Sequence, residues 1–161
     1  GNTVGEKSEE VKLLSNRSVQ CFEAAFQLPE TADAVWCVRV TAELSSGPVS
    51  SCYFFSTASG PLYAPARKLN SQIQAELLEQ KGAKRRYRVF NAGPEAALHI
   101  HAEETGDCAN ILSDIGYCTL FPGESCEVEV VVFPKFRYGF DEYSSVPDAE
   151  PQITFQAFPC F

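Results

Sequence analysis

The chain reads as α+β: a strand-rich single domain with a split, largely antiparallel sheet and a few helices. Three observations predict this class. Segments rich in β-branched and aromatic residues recur along the chain, separated by Gly- and Pro-bearing turns. The run Glu127-Val128-Glu129-Val130-Val131-Val132 alternates with the period of a half-buried strand, Val128, Val130 and Val132 inward and Glu127, Glu129 and Val131 outward. Leu69, Ile73 and Leu77 recur at helical spacing behind Pro65. The 161 residues fit one domain, large enough to bury a core, and show no repeats or low-complexity tracts.

The elements follow in chain order. Residues 1–10 are polar and read as a frayed terminus, leaving 11–161 as the domain. Val11 to Phe26 carries apolar residues near helical spacing and predicts a short helix, ended by Leu28-Pro29-Glu30. Ala34 to Thr41 is a strand by its β-branched and aromatic content. Ser45 to Pro48 is a turn, and Val49 to Thr57 is the next strand. Pro65 opens a helix running to Lys81, with Gly82 as its stop and the basic residues Lys81, Lys84, Arg85, Arg86 and Arg88 near its C-terminal end. Strands are expected at Tyr87–Asn91 and Ala96–Glu103, a loop at Cys108–Tyr117, and strands at Cys126–Phe133 and Ile153–Phe158.

Composition narrows the function classes. A net charge of −8 argues against nucleic acid and against an anionic membrane surface as partners. No apolar run approaches the roughly 18 residues of a membrane-spanning helix, so the chain is not expected to be transmembrane. No signal peptide is visible, and the missing initiator Met points to a mature or trimmed chain. Seven cysteines without CxxC pairs or zinc-finger spacing favour an oxidising compartment, extracellular or at the cell surface, with roughly two or three disulfides. A bridge from Cys21 to Cys160 is one candidate, and Asn16-Arg17-Ser18 is an N-glycosylation sequon. His99 and His101 share a strand face but lack further ligands, so no metal is expected.

Two glutamates on one strand face, about 7 Å apart, repel unless something cationic occupies them. An arginine in an early strand (Arg39), a Ser/Thr-rich strand end (Ser56, Thr57, Ser59) and Glu127-Val128-Glu129 follow one another in order. Together they resemble the R–S–E signature of the cholera-toxin-like ADP-ribosyltransferases, the class that includes vertebrate ecto-enzymes and binary bacterial toxins. The most specific stretch is Phe121-Pro122-Gly123-Glu124 with Glu127 to Phe136, which looks like the family's FPxEEEVLIPPF segment with Ser125-Cys126 inserted. Leu98 to Gly106 is similar to the strand and turn that precede it. The chain departs from the family at Arg39-Val40, where Arg-Gly is usual, and at Ser56-Thr57-Ala58, where Ser-Thr-Ser is usual.

The resemblance implies an NAD-consuming transferase that moves ADP-ribose to an arginine-type protein acceptor, with NAD glycohydrolysis as a variant. NAD would be the substrate and no metal would be needed. Glu129 would face the oxocarbenium-like transition state, and Glu127 would orient or deprotonate the acceptor. Arg39 would hold an NAD phosphate, while Ser56 or Thr57, or Ser59 in a shifted register, would brace Glu129 and the nicotinamide ribose. Two other classes fit the same residues: a disulfide-stabilised secreted or cell-surface binding domain without catalysis, and a hydrolase using the glutamates on a sugar.

Overall fold

A computed structural model describes residues 3–12, 18, 20, 23–30, 34–56, 69–134 and 150–158. These residues form nine strands and, among them, no helix. Strands β1 (Val35–Leu44) and β2 (Gly47–Ser56) make a separate hairpin. The others are β3 (Ile73–Lys81), β4 (Lys84–Asn91), β5 (Ala97–Glu104), β6 (Ala109–Ser113), β7 (Cys118–Leu120), β8 (Ser125–Pro134) and β9 (Ile153–Phe158). One sheet has the order β3-β4-β8-β6 and a second has β7-β5-β9, with every pairing antiparallel.

The two sheets close over one core, because each presents an apolar face that water disfavours. Val89 of β4 and Val128 and Val130 of β8 meet Ala97 and Ile100 of β5, Leu120 of β7 and Phe155 of β9. Val89, Ile100 and Val130 are completely buried, and Val132 is buried beyond them, so the inward face expected for the Glu-bearing strand is the one that packs. The Tyr87 and Phe155 rings add an edge contact at 5.3 Å between the sheets.

One polar side chain belongs to this core. Asn91, fully buried at the end of β4, donates to the carbonyls of Glu95 (2.6 Å) and Leu120 (3.0 Å). Its Oδ1 accepts from the amides of Gly93 (3.0 Å) and Gln72 (3.3 Å). The side chain thus satisfies its own polarity while joining the β4–β5 turn, the approach to β3 and the end of β7. Gly93 is required by the same junction: a Cβ there would lie 2.5 Å from the Gln72 nitrogen and 2.7 Å from the Asn70 carbonyl oxygen.

The expected helix at Pro65–Lys81 is corrected. Ile73–Lys81 is strand β3, residues 69–72 carry no regular structure, and 65–68 lie outside the described residues. The spacing was ambiguous for a physical reason: residues four apart share a side of a helix and also a side of a strand. Pairing with β4 decides the outcome against the helix-forming composition. Gly82 ends no helix but takes the left-handed position (φ 57°) of the tight turn joining β3 to β4, and the basic residues flank that turn and continue along β4. The loop expected at Cys108–Tyr117 contains β6, which gains its order from pairing with β8. Of the helix expected over Val11–Phe26, the described residues 11, 12, 18, 20 and 23–26 are not helical, and the others lie outside the described residues.

Candidate functional site

The hairpin β1–β2 is held to the sandwich at a turn. Phe121-Pro122-Gly123-Glu124 closes with a Glu124 N–H to Phe121 carbonyl bond of 3.0 Å, and Gly123 at φ 79° supplies the conformation a type II turn needs after proline. The Glu124 carboxylate accepts from the Phe121 amide at 2.9 Å, so the turn fixes the acid as well as the backbone. Arg39 of β1 reaches this acid with both terminal nitrogens, at 2.7 and 2.9 Å. Its guanidinium also lies 4.3 Å from the centre of the Phe121 ring.

The two groups reinforce each other's charge. The Arg39 hydrogen bond, against partial burial and with help from the Phe121 amide, holds the Glu124 carboxyl below the usual carboxylate range. The same hydrogen bond pushes Arg39 up against its own desolvation. Beside this clamp lies an open cavity of about 840 Å³, lined among others by Arg39, Cys52, Tyr117, Cys118, Glu124 and Cys126.

The sequence-predicted site residues do not gather around that cavity. Arg39 is there, paired with Glu124. Ser56 lies further along β2, and its hydroxyl donates to the Ala34 carbonyl at 3.0 Å. Thr57 and Ser59 lie outside the described residues. Glu127 and Glu129 stand on the outward face of β8, opposite the buried valines. There they join a ladder of charges: Lys84 bonds Glu129 at 2.8 Å, Arg86 meets Glu79 at 3.2 Å and Glu127 at 4.0 Å, and Arg88 meets Glu76 at 3.5 Å. The alternation of β8 therefore puts the two glutamates on one side of the sheet and Cys126, beside Arg39, on the other.

The basic cluster divides by the same alternation. Lys84, Arg86 and Arg88 point outward to the glutamates. Arg85 is buried and donates to Glu150 (2.6 Å) and to the Pro151 carbonyl (3.1 Å), tying β4 to the start of β9. Among the described residues, no group of three His, Cys, Asp or Glu side chains is arranged to hold a metal. His99 and His101 are separated by a bulge in β5: His99 takes a left-handed backbone (φ 50°) and packs against Phe54 and Phe158, while His101 faces Tyr117 and Glu103.

Sequence reasoning missed Glu124 as the partner of Arg39, although Pro-Gly before an acid is the turn signature that would have marked it. It also missed Glu104. Burial works to raise that carboxyl, yet donation from Gly106 N–H (2.8 Å), the Cys108 thiol (3.4 Å) and Gln152 N–H (3.2 Å) holds it below the usual range. Nothing in the sequence pattern signalled that convergence.

The second notable surface is the other side of the hairpin. Cross-strand register sets Trp36 against Phe55, Val38 against Tyr53, and Ala42 against Val49 on one face. Val38, Val40, Leu44, Val49, Tyr53 and Phe55 are all exposed, Tyr53 at 61% and Val49 at 56%. The five described cysteines, Cys37, Cys52, Cys108, Cys118 and Cys126, are thiols, while Cys21 and Cys160 lie outside the described residues. Among the described residues, no helix is long and apolar enough to cross a membrane. No protein-family model matches the chain, and no significant match is found to a curated protein or a solved structure.

Proposed function

We propose that the chain is a non-catalytic binding domain, a small antiparallel β-sandwich that presents the outer face of its β1–β2 hairpin to a protein partner. One observation carries this reading: six large apolar side chains, Val38, Val40, Leu44, Val49, Tyr53 and Phe55, lie exposed on a single face of the hairpin. A contiguous apolar patch of that kind marks an interaction surface, and an isolated two-stranded hairpin gains stability when such a face is covered. The chain's acidity disfavours nucleic acid as the partner. A secreted or cell-surface location belongs to the same reading and rests on the cysteine content and the sequon at Asn16.

The NAD-consuming transferase is the reading this one replaces. It needs Arg39 open to a phosphate, but both terminal nitrogens of Arg39 are engaged by Glu124. It needs Glu127 and Glu129 beside Arg39, but these are engaged by Lys84 and Arg86 on the far face of β8.

Two measurements test the proposal. Native wild type should bind an apolar fluorescent dye, and the double variant Val40→Asp, Tyr53→Asp should lose that binding while melting within a few degrees of wild type. Millimolar NAD should leave the melting temperature unchanged and release no nicotinamide, because a ligand of the folded state would stabilise it. Nicotinamide release that disappears in Glu129→Gln would overturn the binding-domain reading and restore the transferase.

A further inference from the structure

We propose that Cys118 and Cys126 form a dithiol site that a small-molecule disulfide oxidises to an inter-sheet bridge. The two sulfurs lie 3.9 Å apart on strands of different sheets, and both line the cavity beside the Arg39–Glu124 clamp. The site does not depend on the binding function proposed above.

The pair is pre-positioned by its turns. Cys118 begins the three-residue strand β7, directly after a tight turn closed by its own amide to the Ile115 carbonyl at 3.1 Å. Gly116 and Tyr117 in that turn both have left-handed backbones, the type I′ arrangement. The Phe121–Glu124 turn ends the same short segment, and Cys126 follows two residues later in β8.

The two thiols share a hydrogen bond in which either sulfur can donate, and burial opposes the thiolate at both. The other described cysteines are placed differently. Cys37 and Cys52 sit diagonally within the hairpin, Cys37 facing Phe54 and Cys52 facing Arg39, and share a side-chain hydrogen bond, so a bridge there would not join the two sheets. Burial and the neighbouring Cys52 also push the Cys37 thiol up to about 12. Cys108 is engaged by the Glu104 carboxylate.

The reaction balances in two exchanges. One of the two thiols gives up its proton and attacks a sulfur of the small disulfide, whose S–S bond breaks and whose other half leaves as a thiolate that takes a proton. The second thiol then gives up its proton and attacks the protein sulfur of that mixed disulfide, expelling the remaining half as a thiol. Two protein thiols become one protein disulfide, and the small disulfide accepts the two electrons to become two thiols.

The test treats the whole chain with oxidised glutathione, alkylates the remaining thiols and digests with a glutamate-specific protease. Cleavage after Glu124 separates Cys118 from Cys126. The expected product links the Ser125–Glu127 fragment to the preceding fragment through Cys118, placed there by fragmentation. The bridge should raise the melting temperature by roughly 5 °C, because it closes a short loop in the unfolded chain. Cys118→Ser and Cys126→Ser should each lose the bridge and its rise in melting temperature. Alkylation of both residues after oxidation of the wild type, or a bridge from either residue to another cysteine, would overturn the assignment.

Discussion

The sandwich and the hairpin are built from the same kind of strand, yet they treat their outward faces in opposite ways. On β3, β4 and β8 the outward positions are charged and interlock, Glu76 with Arg88, Glu79 with Arg86, and Glu129 with Lys84. On β1 and β2 the outward positions are Val38, Val40, Val49, Tyr53 and Phe55, and they stay exposed. The inward faces differ too. The sandwich buries a continuous apolar cluster, whereas the hairpin meets it at the Arg39–Glu124 clamp, at the Phe54–His99 ring contact and around a thiol-lined cavity. An alternating pattern therefore establishes that a strand has two faces, but not which of them the fold covers.

The largest effect expected on this contrast is in the sandwich. Asn91→Ala should cost about 2–3 kcal/mol, because it leaves backbone groups of Gly93 and Leu120 unpaired in the buried interior and also removes the part-buried bonds to Gln72 and Glu95. Chemical denaturation measures it, and a loss under 1 kcal/mol would mean that water replaces the amide.

Acid should act next. The Glu104 and Glu124 carboxyls are both held below their ordinary value in the folded chain. A lowered folded pKa means that the unfolded chain binds more protons on the way down. Their stabilisation is then complete above the unfolded value of about 4.3 and fades as pH falls through the lower folded values. A melting temperature that falls between about pH 5 and pH 3 in wild type, and falls less in the double variant Glu104→Gln, Glu124→Gln, is the expected outcome.

A smaller and more local effect should follow Arg39→Ala. The Arg39 and Glu124 side chains are 30% and 38% exposed, so solvent screening limits their pair to about 1 kcal/mol of global stability. The hairpin depends on the pair more than the sandwich does. Amide exchange should accelerate across residues 35–56 while 84–91 and 125–134 keep their protection. Equal acceleration in both regions would make the two one cooperative unit.

Glu127→Gln and Glu129→Gln should do least. Each removes one exposed charge from the ladder, worth within about 0.5 kcal/mol either way. A melting temperature shifted by more than a few degrees would mean that the ladder is a coupled network.

Much of the strand inventory was readable from residue pattern. The β-branched and aromatic content placed the hairpin strands, and the valine alternation of β8 named its buried face before any contact was known. The errors share one cause. Leu69, Ile73 and Leu77 satisfy two periods at once, and β6 and β7 are too short to carry a pattern, so their structure comes from strands distant in sequence. The candidate site was legible only in part. The sequence expects Arg39 to hold an NAD phosphate, whereas its guanidinium pairs with Glu124, 85 positions away in a turn.

Local chemistry by itself determined that this chain is strand-rich, that Pro122-Gly123 turns tightly, and that each β8 residue faces one of two sides. Those properties depend on backbone sterics and on neighbours one or two residues away, which the sequence states directly. Tertiary structure alone decided that Ile73–Lys81 is a strand, that Asn91 is buried, that Arg39 meets Glu124 rather than Glu129, and that Cys118 meets Cys126. Each of these outcomes depends on which segments pack together, a choice set by burying the shared apolar faces of the whole chain rather than by any one segment's preference.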